Sequence, residues 1–255
     1  MTKADVRTRG AARSTAASSV TPVVESNRER ISRRQVDKFA QRRDELAEAA
    51  LQTLSELGYA RTSLREIAQN STFSHGVLHY YFSDKVDLII HCVKHYKAIC
   101  VLRYDQIVAD ATTADGLAEG FAHGLAATAR EDAALHRLWY DMRSQSMFEA
   151  AFRDDVLEID DSLQRMIWRI VSRYAELSGR PAAVDPSTAY AIFDGLFQQA
   201  LLRHLCGSTD ALSELTAHVR LWVAGSGKPA AETVWSVMSY HWRATALSAE
   251  RARRS

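Results

Sequence analysis

The stretch Phe73-Ser74-His75-Gly76-Val77-Leu78-His79-Tyr80-Tyr81-Phe82-Ser83-Asp84-Lys85 limits the possible folds of this chain more than any other. It predicts a very short helix, rich in aromatic residues, with a serine start signal at either end. A second short helix, Leu64 to Asn70, precedes it across a tight turn. Helices of this length are marginal alone, and the later one is too small to be a core element. Two of them joined in this way read as helix-turn-helix, the arrangement that presents its second helix to the DNA major groove.

The flanking signals give the frame. From Val36 to Leu57 the residues Phe39, Leu46, Ala50, Leu54 and Leu57 recur at helical spacing, and Gly58 supplies a stop. Ser63 and Glu66 form a capping box for the Leu64 helix, whose inward face is Ile67 and Ala68. Ser74 is expected to cap the recognition helix, and Ser83 a long helix running to about Val108. The chain then stays helical over residues 114–129, which hold Gly116, Gly120 and Gly124, over 131–149, and over 154–177, the clearest amphipathic pattern. Gly179 ends that helix, and Asp185 caps the next, with Pro186 at its first position and its end at Cys206. A helix at 210–224, the break Gly225-Ser226-Gly227-Lys228-Pro229 and a last helix at about 231–250 complete the chain. No strand alternation is present. The expected fold is all-α, a three-helix head at 37–84 followed by a larger helical body at 85–250.

The stretches Leu57-Gly58-Tyr59-Ala60-Arg61-Thr62-Ser63-Leu64-Arg65-Glu66-Ile67-Ala68 and Leu78-His79-Tyr80-Tyr81-Phe82-Ser83-Asp84-Lys85 resemble the amino-terminal pattern of tetracycline-repressor-type (TetR) regulators. That pattern is an apolar helix, a Gly-aromatic-x-x-Thr link, an Ile-Ala helix and a Tyr-x-Phe-x-x-Lys close. The likeness covers about residues 39–90, with Thr72 where the turn usually has Gly and His79 where the recognition helix usually has Tyr. It implies a transcriptional regulator rather than an enzyme: a cytoplasmic, homodimeric repressor released from a double-stranded DNA operator by a small-molecule effector held in the body. In the family pattern, positions equivalent to His75, Gly76, Val77 and His79 face bases. Those equivalent to Thr62, Tyr80, Tyr81 and Lys85 touch the backbone.

The residues themselves fit that assignment. Ser74 and His75 open the helix, where free N–H groups suit phosphate. Gly76 allows close backbone approach. Lys85 lies in the first turn of the next helix, where a positive charge opposes the helix dipole, so a phosphate partner makes sense of it. Leu78 and Phe82 are expected in the core.

Charge is distributed unevenly. Residues 1–36 carry a balance of +5 and the remainder −4. That arm is rich in Ala, Ser, Thr and Arg, a composition that predicts disorder, and it suits either a DNA-backbone contact or a solvated tail. An Arg- and Ser-rich start also looks like a transit peptide. Residues 37–87 hold six basic and eight acidic side chains, so the head is not itself cationic. That balance motivates a rival reading, a helical ligand-binding or scaffold protein without sequence-specific DNA binding.

The body has a dense aromatic and methionine set. Phe121, His123, Trp139, Met142, Arg143 and Trp168 are the expected lining of the pocket that the resemblance implies, and core packing is the alternative for each. Arg143 is expected to pair with a ligand carboxylate. The apolar face Phe193, Leu196, Phe197, Ala200 and Leu201, with the helix at 210–224, is the candidate dimer interface. His75/His79 and His91/His95 are spaced for metal binding, but no third ligand is evident and no metal or cofactor is expected. Cys92, Cys100 and Cys206, odd in number and widely spaced, suit reduced thiols in a cytoplasm. No apolar run is long enough to span a membrane.

Overall fold

The computed structural model describes residues 27–58 and 62–225. The basic arm before Asn27, the link residues Tyr59, Ala60 and Arg61, the break after Gly225 and the expected last helix lie outside the described residues. Contacts divide the chain into two units, Met1–Phe39 and Ala40–Ser255. Of the first unit, the described residues are helical. Residues 27–36, which composition assigns to a disordered arm, form the opening turns of α1, Asn27–Leu57.

Every element among the described residues is helical. After α1 come α2 Leu64–Gln69, α3 His75–Tyr81, α4 Lys85–Asp110, α5 Ala114–Glu131 and α6 Ala133–Gln145. A 3-10 turn at Ala150–Phe152 leads into α7 Arg153–Ser178, α8 Pro186–Leu205 and α9 Ala211–Gly225.

Most boundaries follow local chemistry. The Ser63 hydroxyl accepts from the Glu66 N–H at 3.2 Å, and the Glu66 carboxylate takes the Ser63 N–H at 2.8 Å. Ser74 Oγ accepts from the Val77 N–H at 3.3 Å. Gly58 and Gly179 adopt φ of 74° and 69°, the left-handed conformation that ends a helix at little cost only for glycine. Asp185 caps α8 through the Ser187 and Thr188 N–H groups, with Pro186 behind it.

The start of α4 differs from expectation. Asp84, not Ser83, is its cap, accepting from the Asp87 N–H at 2.9 Å. Asp87 Oδ2 reaches back to the Ser83 N–H at 3.0 Å. The reciprocal pattern of a capping box is thus shifted by one residue, because the aspartate carboxylate outcompetes the hydroxyl beside it.

Two buried clusters hold the second unit together. The first runs from Leu46 and Leu54 of α1 through Ile67 and Leu78 of α2 and α3. It continues through Leu88, Ile89, Cys92 and Val93 of α4 to Trp139 and Met142 of α6 and Val156 of α7. Head and body therefore share one core. The second cluster lies farther along α4, from Tyr104, and takes in Leu117 and Phe121 of α5, Ile167 and Ile170 of α7, Phe193 and Phe197 of α8 and Val219 of α9. Phe193, Phe197, Ala200 and Leu201 are thus buried inside their own chain, and Leu196 packs against them. The dimer face expected there is corrected: α8 carries apolar residues on more than one side, so its sequence could not say which side the chain's own core would take.

The glycines of α5 also have a packing role. A Cβ at Gly124 would lie 3.0 Å from Ile107 Cδ1 and 3.5 Å from Tyr104 Cε1, and one at Gly120 would lie 3.4 Å from Ile107 Cγ2. They let α5 lie close against α4. Replacing Gly124 with Val should overpack that seam and lower stability by about 1–3 kcal/mol, despite Val's better helix propensity. Urea denaturation followed by circular dichroism checks this; an unchanged midpoint would mean the seam is slack.

Candidate nucleic-acid interface and body cavity

Seven residues make too short a helix to stand alone, so α3 is held by its anchors. Leu78 and Phe82 are fully buried in the first cluster, with Val77 and Tyr81 packed against it. The guanidinium of Arg42 lies 5.0 Å from the centre of the Phe73 ring, and that of Arg43 lies 4.7 Å from the Phe82 ring. Three polar pairs then lock α1 to the head end of α4. Arg43 bonds Asp87 at 2.5 Å, Asp44 bonds His91 at 2.8 Å and Glu48 bonds His95 at 3.2 Å. Burial holds the His91 imidazolium pKa below its usual value despite the Asp44 partner. The pair at His91 and His95 is therefore structural.

With those anchors inward, the outer face of α3 is set. His75, Gly76, His79 and Tyr80 are exposed, Tyr80 at 73%. The His75 and His79 rings meet edge to face with centroids 4.4 Å apart, one helical turn from each other. Tyr80 and Tyr81 do the same at 4.9 Å. Ser74 is exposed at the helix start, and Lys85 is half-buried at the first position of α4. The structure thus gathers eight of the nine residues expected at DNA around α3 and the start of α4. Thr62 departs from them: it is 4% exposed, and its hydroxyl donates to the Gly58 carbonyl at 2.6 Å. Its side chain closes the end of α1 instead of facing outward.

The body contains a cavity of about 60 Å³ among five helices. Lys97, Cys100 and Tyr104 of α4, Leu125 of α5, and His136 and Tyr140 of α6 form part of its wall. Leu163, Met166 and Ile167 of α7 and Tyr190, Phe193, Asp194 and Phe197 of α8 complete it. None of the six residues expected to line a pocket does so. Phe121, Trp139 and Met142 are fully buried core, and Trp168 is packed against the second cluster. His123 is on the surface, beside Glu119 at 3.1 Å.

Arg143 comes nearest, but it is taken. Its Nη1 bonds Asp194 Oδ2 at 2.5 Å and its Nε lies 3.4 Å from Asp160. Tyr140 donates to the other Asp194 oxygen at 2.9 Å, and Tyr190 donates to Asp160. The expected pairing of Arg143 with a ligand is corrected: its partners are the chain's own aspartates.

The cation that does line the cavity is Lys97. Full burial pulls its ammonium pKa down to about 8. It lies on the buried stripe of α4 with Val93, Cys100 and Tyr104. A lysine in register with buried residues was a legible signal in the sequence, and one that aromatic content alone passes over.

Residues 46–92 match the family described as "Bacterial regulatory proteins, tetR family". No curated protein matches the chain. Among solved structures, it is similar to a TetR transcription regulator from Haloarcula marismortui ATCC 43049, with 20% identity, a TM-score of 0.61 and coverage of 73% of this chain and 98% of that one. A transcriptional regulator FadR from Bacillus subtilis in complex with stearoyl-CoA matches at 16% identity and TM-score 0.58, over 70% and 95% of the two chains. A proposed regulator from Saccharomonospora viridis in complex with choline matches at 15% and 0.61, over 72% and 96%. At these identities the likeness is one of fold. The all-helical architecture expected from the sequence holds over the described residues, and the family match falls on the expected helix-turn-helix segment.

Gly76 separates surface use from internal need. A Cβ there meets nothing within 4 Å, and its φ is not positive. Gly76→Ala should leave the protein as stable as before or more stable by up to about 1 kcal/mol. If a duplex approaches the backbone there, affinity should fall roughly tenfold while thermal melting does not. Equal affinity for the variant would remove Gly76 from the contact surface.

Proposed function

We propose that the chain, with its tetR-type amino-terminal domain, is a cytoplasmic, homodimeric transcriptional regulator that leaves its DNA operator when a small molecule enters the body. The carrying observation is α3. A capped seven-residue helix is anchored only by its inner side and shows His75, Gly76, His79 and Tyr80 to solvent. That is the geometry of a helix made to enter a major groove. Val77, half-buried, edges the same face, and Ser74, Tyr81 and Lys85 flank it; on this reading they contact the phosphate backbone.

A single α3 reads only a few base pairs, so a two-fold protein on a two-fold site is required for selectivity. With Phe193 and Phe197 taken by the core, the outer stripe of α8 is the better candidate for the dimer face. It consists of Ala191, Gly195, Gln198, Leu202 and Leu205, all exposed. Leu202 is 63% exposed, and small residues at Ala191 and Gly195 favour close approach of a second helix. The body supports an effector role through its cavity, and solved relatives by fold hold stearoyl-CoA or choline. No helix among the described residues is long and apolar enough to cross a membrane.

The operator is found by selection from random duplexes. Replacing His79 and Tyr80 together with Ala should weaken retention of that operator by roughly tenfold or more, with helicity unchanged. Wild-type retention by the double variant would end the assignment. Sedimentation at micromolar concentration should give a dimer, and Leu202→Glu a monomer with weaker operator binding.

A further inference from the structure

We infer that the body cavity takes a small apolar carboxylic acid, its carboxylate held by Lys97. This rests on the reading of the body as an effector-binding domain and names the ligand's chemistry. The argument is an account of donors and acceptors. Asp194 lines the cavity and Asp160 bonds Tyr190 of its wall, but Asp194 takes Tyr140 on one oxygen and Arg143 on the other. Asp160 takes Tyr190 on one oxygen, and its other oxygen faces Arg143 Nε at 3.4 Å. The acidic pair is therefore already supplied with donors.

Lys97 is in the opposite position. It is 5% exposed, and its Nζ bonds one atom, His136 Nδ1, at 3.1 Å. For that bond His136 must be neutral with its proton on Nε2, which then points at Tyr96 Oη, 3.0 Å away. Burial and the nearby Lys97 charge both hold the imidazole neutral. The faces of Trp139 and Tyr96, with ring centres 5.2 and 5.7 Å from Nζ, cover other sides of the ammonium. Among the described residues, two of its three N–H donors have no protein acceptor and Lys97 enters no ion pair. A buried ammonium so placed is costly unless paired. The remaining wall offers Leu163, Met166, Ile167, Phe193 and Phe197, which suit a hydrocarbon or ring. An anionic head with an apolar tail satisfies both halves of the site. At about 60 Å³ the present cavity admits the head and little more, so short acids come first.

The test uses the full chain and matched probe pairs: butanoate, hexanoate and benzoate against their primary amides, which keep shape and carbonyl but lose the charge. Calorimetric titration should show at least one acid binding tenfold or more tightly than its amide. Lys97→Met should lose that preference while melting at or above the wild-type temperature. Equal binding of acid and amide, or no binding of any acid at millimolar concentration, overturns the inference. The wild-type comparison needs no variant, so a Lys97→Met protein that failed to fold would not shield it. Gel retardation on the selected operator separates the two readings. Acids that bind without releasing DNA would overturn the effector role and leave this site standing. Release by choline with indifference to every acid would overturn this inference and leave the effector role standing.

Discussion

Everything in this molecule depends on α4 being one helix with two cores on it. Leu88, Ile89, Cys92 and Val93 belong to the cluster that also holds α1, α2 and α3. Tyr104, three turns on, belongs to the cluster built by α5, α7, α8 and α9. Close-packed interiors do not deform continuously. A displacement of α4 in the body must therefore move the head's own anchors or break their packing. The polar pairs Arg43–Asp87, Asp44–His91 and Glu48–His95 make the head end of α4 stiffer still against α1. Arg137 of α6 adds a second tie, donating to the Ser55 carbonyl and, at 3.2 Å, to the Glu56 carbonyl near the end of α1.

The same arrangement explains what could be read from the sequence. Local signals were legible because they act over a few residues: the Ser63/Glu66 box, the Ser74 cap, the Asp185-Pro186 start and the Gly58 and Gly179 stops. The capped α3, with Leu78 and Phe82 inward, needed only helical spacing and residue type. The cap that local chemistry leaves open, Ser83 or Asp84, is a competition between adjacent caps whose outcome depends on how Asp87 folds back.

The body was less legible, for a different reason. Trp139 and Met142 look the same in sequence whether they line a pocket or fill a core; burial by a distant helix decides. Arg143, a polar group among apolar neighbours, needs a partner. Its partners, Asp160 and Asp194, lie on α7 and α8, and no local pattern joins them to it. Likewise Phe193 and Phe197 were identified as an apolar face, but α8 has another face carrying Leu202 and Leu205, and only the packed structure shows which one the chain keeps for itself.

Cavity size bears on the proposed switch. Ligand sites for compounds of drug size enclose about 300–1,000 Å³, against about 60 Å³ here. An occupant larger than a carboxyl group must therefore push on one of five helices. Of the five, α4 supplies Lys97, Cys100 and Tyr104 to the wall and Leu88, Ile89, Cys92 and Val93 to the core shared with the head, which α6 and α7 also join through Trp139 and Val156. Gly120 and Gly124 leave α5 close against it with no side chain of their own to yield, so α4 has little room to move toward α5. On the proposed reading, the occupied body would be the one in which α4 has shifted along or away from that seam. The affinity difference between the two positions would be the coupling felt at DNA, typically 1–3 kcal/mol for such systems. That range corresponds to roughly 5- to 150-fold in operator affinity, enough to vacate a site held at modest excess without any contact between ligand and head.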